Sequence, residues 1–263
     1  MQQPQNKFNL LPYKKSRKWG LFNQDWSYHK TFGVSPLSEL PDNYELISTI
    51  LNQGNTEDCR AFAACAIQES QHGIPFDTAW FANQEGEGAG QLRDTMQAGI
   101  DKGFKPLNGG DPSLYKEGGY FLVTPNNGMD LFDSYRVALW QSRNEKKTAA
   151  TGVLWDSGWT SAPNGIVPDT ISTPLGGHAI KGSGWKTLDS VRATIQNSWG
   201  PSYGDNGIYR FTREQFNKYF TYGGVYIWRT IEEQKIIKTQ SAILNLIQKI
   251  VELLNKWISS ELK

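Results

Sequence analysis

Only two cysteines and three histidines occur in the 263 residues of this chain. So few soft ligands, without a recognisable spacing, do not build a four-ligand structural zinc site. Cys59 and Cys65 stand six apart on what reads as one helix. At ~1.5 Å of rise per residue their Cα atoms lie roughly 9 Å apart, beyond the ~7 Å reach of a disulfide. A chain with no bridge to make points to a reducing compartment. A surplus of either charge is also lacking. The 27 Lys and Arg stand against 26 Asp and Glu for a net charge of +1, which gives no general argument for nucleic acid or an acidic substrate. No uncharged run approaches the ~20 residues of a spanning helix. The opening Met1-Gln2-Gln3-Pro4-Gln5-Asn6 has no apolar core of a secretory signal, so cytoplasmic residence is expected. The glycine-rich stretch Gly86-Glu87-Gly88-Ala89-Gly90 has no apolar strand before it and no Lys-Ser/Thr after it. It is therefore no phosphate loop, and no cofactor is expected.

Aromatics are what the chain has in abundance, with ten Trp, eleven Tyr and twelve Phe available for a substantial core. The first half of the chain reads as helices. One begins near Asp58 and stops by Gly73, with Ala61, Phe62, Cys65 and Ala66 on one face. A second runs from Leu92 to Lys102, with Leu92, Met96 and Ile100 in register and Gly103 as its stop. A third covers about Leu131 to Gln141. The second half reads as strands: Thr151–Trp155, His178–Ile180, Val191–Ile195, Gly207–Phe211 and Gly224–Trp228, separated by Gly, Pro and Asp. Helices first and antiparallel strands second imply an α+β architecture of two lobes, with a ligand cleft where they meet.

Three separated segments carry candidate chemistry. Gln53-Gly54-Asn55-Thr56-Glu57-Asp58-Cys59-Arg60-Ala61-Phe62 puts a thiol at the mouth of an apolar helical run. Gly176-Gly177-His178-Ala179 supplies an imidazole, and Gln196-Asn197-Ser198-Trp199-Gly200 a side-chain amide. Each alone is a weak signal, because a cysteine among alanines is more often a small buried apolar residue. Together, and in this order, they are specific. Over roughly residues 39–231 the chain resembles the papain-like cysteine peptidases. Asn197 follows Cys59 within the ~130–150-residue window of that family, and His178 falls slightly short of it.

The resemblance implies the papain-like two-lobe fold, a helical N-terminal lobe against a β-barrel-like C-terminal lobe, and hydrolysis of a peptide or protein substrate. It also implies roles. Cys59 is the nucleophile and His178 its base, with Asn197 orienting the imidazole and Gln53 donating to the oxyanion. Trp199 shelters the His–Asn hydrogen bond. Gly88 and Gly90 match, loosely, the glycine segment that pairs with substrate backbone. Gly177 and Ala179 approach the pocket for the second residue before the scissile bond, and their small size leaves room for a bulky apolar side chain. His29 precedes the domain and His72 lies at the far end of the cysteine's helix, so neither competes as the base.

The chain departs from the family around the nucleophile. Thr56-Glu57-Asp58 precedes Cys59 and Arg60 follows it, where relatives carry Cys-Gly-Ser and Trp; Asn55 stands where they place a disulfide cysteine. Thr56 or Asp58 suits a helix cap, yet a carboxylate beside a thiol opposes its ionisation. A catalytically silent papain-like binding module is therefore the alternative reading.

The two ends lie outside the family pattern. Residues 1–38, basic and rich in aromatics, form either an ordered arm packed on the domain or a short cleft-blocking pro-segment. Residues 232–263 read as an amphipathic helix. Within it Ile236, Gln240, Ile243, Ile247, Ile250, Leu254 and Trp257 alternate spacings of four and three, as in a coiled-coil seam. Packing on its own domain, self-association or partner binding, and contact with a membrane surface are the three readings of that helix.

Overall fold

A computed structural model describes residues 8, 10–12, 26–27, 36–86, 89–126, 128–169 and 171–261 of the chain. The helices of the first half are α1 (Cys59–His72), α2 (Thr78–Glu85) and α3 (Leu92–Asp101), packed on one another. Three more follow: α4 (Leu131–Gln141), α5 (Arg213–Tyr219) and α6 (Ile231–Glu261). The strands are β1 (Trp26–Ser27), β2 (Tyr44–Glu45), β3 (Gly119–Leu122), β4 (Ala149–Asp156), β5 (Pro174–Thr187), β6 (Val191–Gln196), β7 (Ile208–Phe211) and β8 (Gly224–Arg229). They form one open sheet in the order β1-β3-β8-β4-β5-β6-β7, with β2 added against β5. The chain is thus a mixed helix and sheet protein whose strands pair antiparallel except for β1 on β3, and its sheet does not close into a barrel.

Local chemistry sets the helix limits. An alanine-rich run propagates α1. It ends where Gly73 takes a left-handed φ of 72° and donates its N–H to Glu69 O at 2.8 Å. Ala61, Cys65 and Ala66 of α1 are buried as expected, but Phe62 of the same expected face is only partly so. A reciprocal capping box between Gln91 and Asp94 starts α3, which buries Leu92 and Met96 and leaves Ile100 partly covered. Asp130 caps α4 by accepting from Asp133 N at 2.8 Å.

β5 is the spine of the molecule. It pairs with β4, β6 and β2, and its alternating faces look into two separate cores. Ala179 packs with the helical core of Cys59, Ala61, Cys65, Phe81, Met96 and Phe104. Ile180 packs with the second core around Trp155, Trp159, Trp185 and Trp199. Successive side chains of one strand therefore belong to different lobes, which is what period-two geometry delivers when a strand lies at their junction. His178 and Ala179 are placed at that junction.

α6 begins with a further capping box. Thr230 N donates to Glu233 Oε2 at 2.6 Å, and Glu233 N to Thr230 Oγ1 at 3.2 Å. Lys147, itself buried, forms an ion pair with Glu233 at this root. Beyond the root Ile243, Leu246 and Leu253 are exposed, by 52 %, 59 % and 64 %. No helix among the described residues is long and apolar enough to cross a membrane.

Candidate active site

Cys59 is the first residue of α1, at the end where the helix dipole is positive and backbone N–H groups lack intrahelical partners. Both features favour a thiolate. Its Sγ accepts the backbone N–H of Ala179 at 3.5 Å, so the thiol lies against the His178–Ala179 peptide of β5. His178 is fully buried and its Nε2 meets Asn197 Oδ1 at 2.8 Å. That oxygen also accepts the N–H of Ser198 at 2.8 Å, which fixes the orientation of the amide.

Trp199 stacks on the imidazole, with ring centroids 4.8 Å apart and planes 25° apart. Trp155 meets the same ring edge-on at 5.5 Å. The His–Asn bond is thereby walled from solvent, where a hydrogen bond is stronger. Trp155 is a neighbour that the motif reading did not include. It comes from β4, whose Val153 is the register partner of His178.

Gln53 is buried and held at both ends. Its Oε1 accepts Ser198 Oγ at 2.6 Å, and its Nε2 donates one N–H to Thr56 O at 2.9 Å. A primary amide carries two N–H groups, and the bond to Thr56 uses one of them. Ser198, read from sequence only as part of the Asn197 motif, is the residue that sets the direction of that amide.

The unusual residues flanking the thiol go elsewhere. Asp58 occupies the N-cap position of α1 without a side-chain cap hydrogen bond, and the Thr56 hydroxyl donates instead to Gln53 O at 2.9 Å. Arg60 turns into the helical lobe, where it pairs with Glu85 at 3.6 Å and approaches Thr95 Oγ1 and Gly86 O at 3.4 Å each. Burial raises the Glu85 carboxyl to about 7, against the opposing pull of Arg60. The guanidinium also fills the space beneath Gly90, where a Cβ would meet its Nη1 at 2.5 Å. Cys65 sits deeper on α1, and burial pushes its thiol well above the ordinary range. His72, exposed at the far end of α1, packs edge-on against Phe76 and Tyr115. His29 and Gly88 lie outside the described residues.

Residues of the N-terminal arm lie across this constellation. Leu10 N donates to Gly177 O at 3.0 Å and Leu11 N to Gly90 O at 2.9 Å. The Phe8 ring stands edge-on to both His178 and Trp199 at 5.7 Å. Gly177 has no room for a side chain, because a Cβ there would sit 2.0 Å from Leu10 O. Leu10 Cδ2 lies 2.6 Å from where Cβ atoms on Gly152 and Gly223 would be, so those glycines floor an apolar recess that Leu10 fills. Leu10 is 3 % exposed there, in one cluster with Ala150, Ala179 and Tyr226.

A polar tie behind the site was not foreseen. Lys181 Nζ, three residues after His178, donates to Ser48 Oγ and Gln196 Oε1 at 3.1 Å each, and contacts Ser70 Oγ of α1. Gln196 adjoins Asn197, so the tie joins the segment before Gln53, the nucleophile's helix and the strand leading to the amide. Burial lowers the Lys181 ammonium to about 7.

No protein-family model matches the chain, and no curated protein does. Solved structures do. Xylellain, a cysteine protease from Xylella fastidiosa, is similar at a TM-score of 0.67 and 17 % identity over 86 % of this chain and 97 % of its own. Digestive procathepsin L2 from Tenebrio molitor is similar at 0.58 and 18 %, covering 77 % of this chain and 72 % of its own. Bromelain from Ananas comosus, in complex with the E64 inhibitor, is similar at 0.53 and 19 %, covering 73 % and 99 %. The fold of this chain is that of the papain-like cysteine peptidases.

Proposed function

We propose that this chain is a cysteine peptidase acting through Cys59, His178, Asn197 and Gln53. The observation that carries the reading is the His178 Nε2–Asn197 Oδ1 bond of 2.8 Å on a ring whose following residue holds the Cys59 sulfur at 3.5 Å. With Nε2 engaged by Asn197, Nδ1 is the nitrogen that exchanges a proton with the thiol. The thiolate attacks the carbonyl carbon of the scissile peptide. Its oxyanion is met by the Cys59 backbone N–H and the second N–H of Gln53. Imidazolium then protonates the leaving amine as the C–N bond breaks, which leaves a thioester on Cys59. Water attacks that thioester while His178 takes its proton. The acid is released and the thiol restored.

The recess filled by Leu10 supports a preference for a leucine-sized apolar residue near the scissile bond. The lie of Phe8, Leu10 and Leu11 supports the cleft-blocking role for residues 1–38: the arm occupies ground that a substrate needs. The burial of Cys59 beneath it, with Arg60 drawn away to Glu85, is what favours the second reading, a silent binding module. Fluorogenic peptides carrying Leu, assayed with the intact chain and after removal of residues 1–12, decide between them. Turnover that is lost in Cys59→Ser supports the peptidase. Its absence in the truncated chain, with Cys59 alkylated no faster than a free thiol near pH 6, rules the peptidase out.

A further inference from the structure

We propose that Arg60, the residue after the thiol, is a positioning residue whose guanidinium holds Gly90 where a peptide main chain crossing Cys59 hydrogen-bonds to it. The substrate side of this inference rests on the peptidase reading; the hold on Gly90 does not. Gly90 O already accepts a main-chain N–H, that of Leu11 at 2.9 Å, and Leu10 and Gly90 form a strand-like bridge. A peptide lying where the arm lies would meet the same carbonyl.

What supports Gly90 from beneath is a buried charge. A Cβ on Gly90 would stand 2.5 Å from Arg60 Nη1, 2.6 Å from Cζ and 2.8 Å from Nη2. Three nearly equal distances mean that the flat face of the guanidinium lies against the glycine. The same group reaches both helices between which Gly90 lies. Its Nη2 donates to Gly86 O at the C-cap of α2, and its Nη1 to Thr95 Oγ1 in α3, at 3.4 Å each. Glu85, the last residue of α2, lies 3.6 Å from Nη1 and accepts the Thr95 hydroxyl at 2.6 Å. A planar fork of donors braces these groups together, which the point charge of a lysine does not.

Arg60 follows Cys59 directly on the first turn of α1, so a single residue spans from the sulfur's backbone to the support of Gly90. The tolerance is small. A shift of roughly 0.6 Å would carry the 2.9 Å bond at Gly90 O to the ~3.5 Å at which it ceases to be one. An ion pair that merely stabilised the helical lobe would act differently. Its loss would leave the bond at Gly90 in place, or loosen the whole arm, Gly177 included.

Iodoacetamide labelling of Cys59 in the full chain, read by mass spectrometry, tests this without need of turnover. With Arg60 present, Leu10→Pro and Leu11→Pro each remove one donor and should accelerate labelling about five-fold, the worth of one hydrogen bond. Arg60→Met combined with Glu85→Gln removes both charges, which avoids an unpaired buried ion. In that background Leu11→Pro should accelerate labelling no further, whereas Leu10→Pro, acting at Gly177, should keep its effect. Arg60→Lys retains the charge without the fork, should give the same pattern, and serves if the neutral pair does not fold. A Leu11→Pro effect undiminished in either background overturns the proposal. So does loss of both proline effects together, which marks general loosening. In the full chain carrying both proline substitutions, replacing Arg60 and Glu85 should raise KM for a Leu peptide about five-fold with kcat little changed. A fall in kcat at constant KM overturns the substrate side. No hydrolysis by any form, with the labelling pattern as expected, overturns the peptidase reading and leaves the hold on Gly90 standing.

Discussion

Leu10 donates its backbone N–H to the carbonyl of Gly177 at 3.0 Å, one residue ahead of His178. A neighbouring bond from Leu11 to Gly90 at 2.9 Å secures the same segment on the helical side. The arm thus bridges the two lobes with its main chain.

Removing either amide hydrogen loosens this segment. Leu10→Pro deletes the donor to Gly177 and Leu11→Pro the donor to Gly90. A net hydrogen bond of ~1 kcal/mol corresponds to a factor of about five in the occupied-to-open ratio. Alkylation of Cys59 by iodoacetamide should accelerate by about that factor in each variant, and by more in the double variant. Mass spectrometry of the labelled peptide reads this directly, because buried Cys65 stays unreactive.

Gln53 and Ser198 should separate in size. Gln53→Ala removes the proposed oxyanion donor, for which a loss of about 10²–10³ in kcat is expected. Ser198→Ala leaves the amide present but releases its Oε1, now held at 2.6 Å. One neutral hydrogen bond is worth ~1 kcal/mol, so kcat should fall by about five-fold with KM little changed. Steady-state kinetics on one peptide substrate compares the two. A Ser198→Ala loss as large as that of Gln53→Ala would contradict the positioning role.

Arg60 and Glu85 form an ion pair with side chains only 4 % and 3 % exposed. Arg60→Ala leaves a carboxyl buried without its partner, which costs about 3–5 kcal/mol for such pairs. Because Glu85 already ionises only near 7, Glu85→Gln in the same chain should recover part of that loss. Urea unfolding of the single and double variants measures both. The carboxyl's folded value lies above its ordinary 4.5, so its own contribution to stability is full below 4.5 and is lost as pH rises through about 7.

Lys181 gives a pH dependence in the opposite direction. Its folded value of about 7 lies below the ordinary 10.5, so between those values the unfolded chain holds more protons. Stability therefore rises with pH across that window, by up to about 1.4 kcal/mol per unit. The difference in unfolding free energy between the wild type and Lys181→Met, measured from about pH 7 to 10.5, should carry that slope. A difference independent of pH would mean that the lysine stays charged in the fold.

The sequence showed most of this site and rather less of its surroundings. Cys59, His178, Asn197 and Gln53 were legible because each sits in a short local motif: a helix start, a strand, a strand end and the turn before the helix. The limits of α4 matched the sequence reading, since Asp130 caps it and its apolar spacing is regular. What stayed hidden was settled by tertiary contact. The short helix α2 carries too few turns to show a period, and β3 is four residues long. Arg60 stood out in the sequence only as a departure from the family pattern beside Cys59. Its length lets it reach Glu85 on another helix, and no local pattern encodes that. Lys181 drew no notice in the sequence, because its partners Ser48 and Ser70 are far away in the chain. The hydrogen bonds of Leu10 and Leu11 were hidden for the same reason: Gly177 and Gly90 come together to accept them only once the lobes are assembled.

The tie through Lys181 has a further consequence. It fastens the nucleophile's helix to the strands with nitrogen and oxygen, in a chain whose two sulfurs cannot reach each other. Millimolar thiols, which a catalytic cysteine requires to escape oxidation, would slowly unstitch a scaffold of cystines. Here they have nothing to unstitch, so the conditions that keep Cys59 reduced leave its supporting framework untouched.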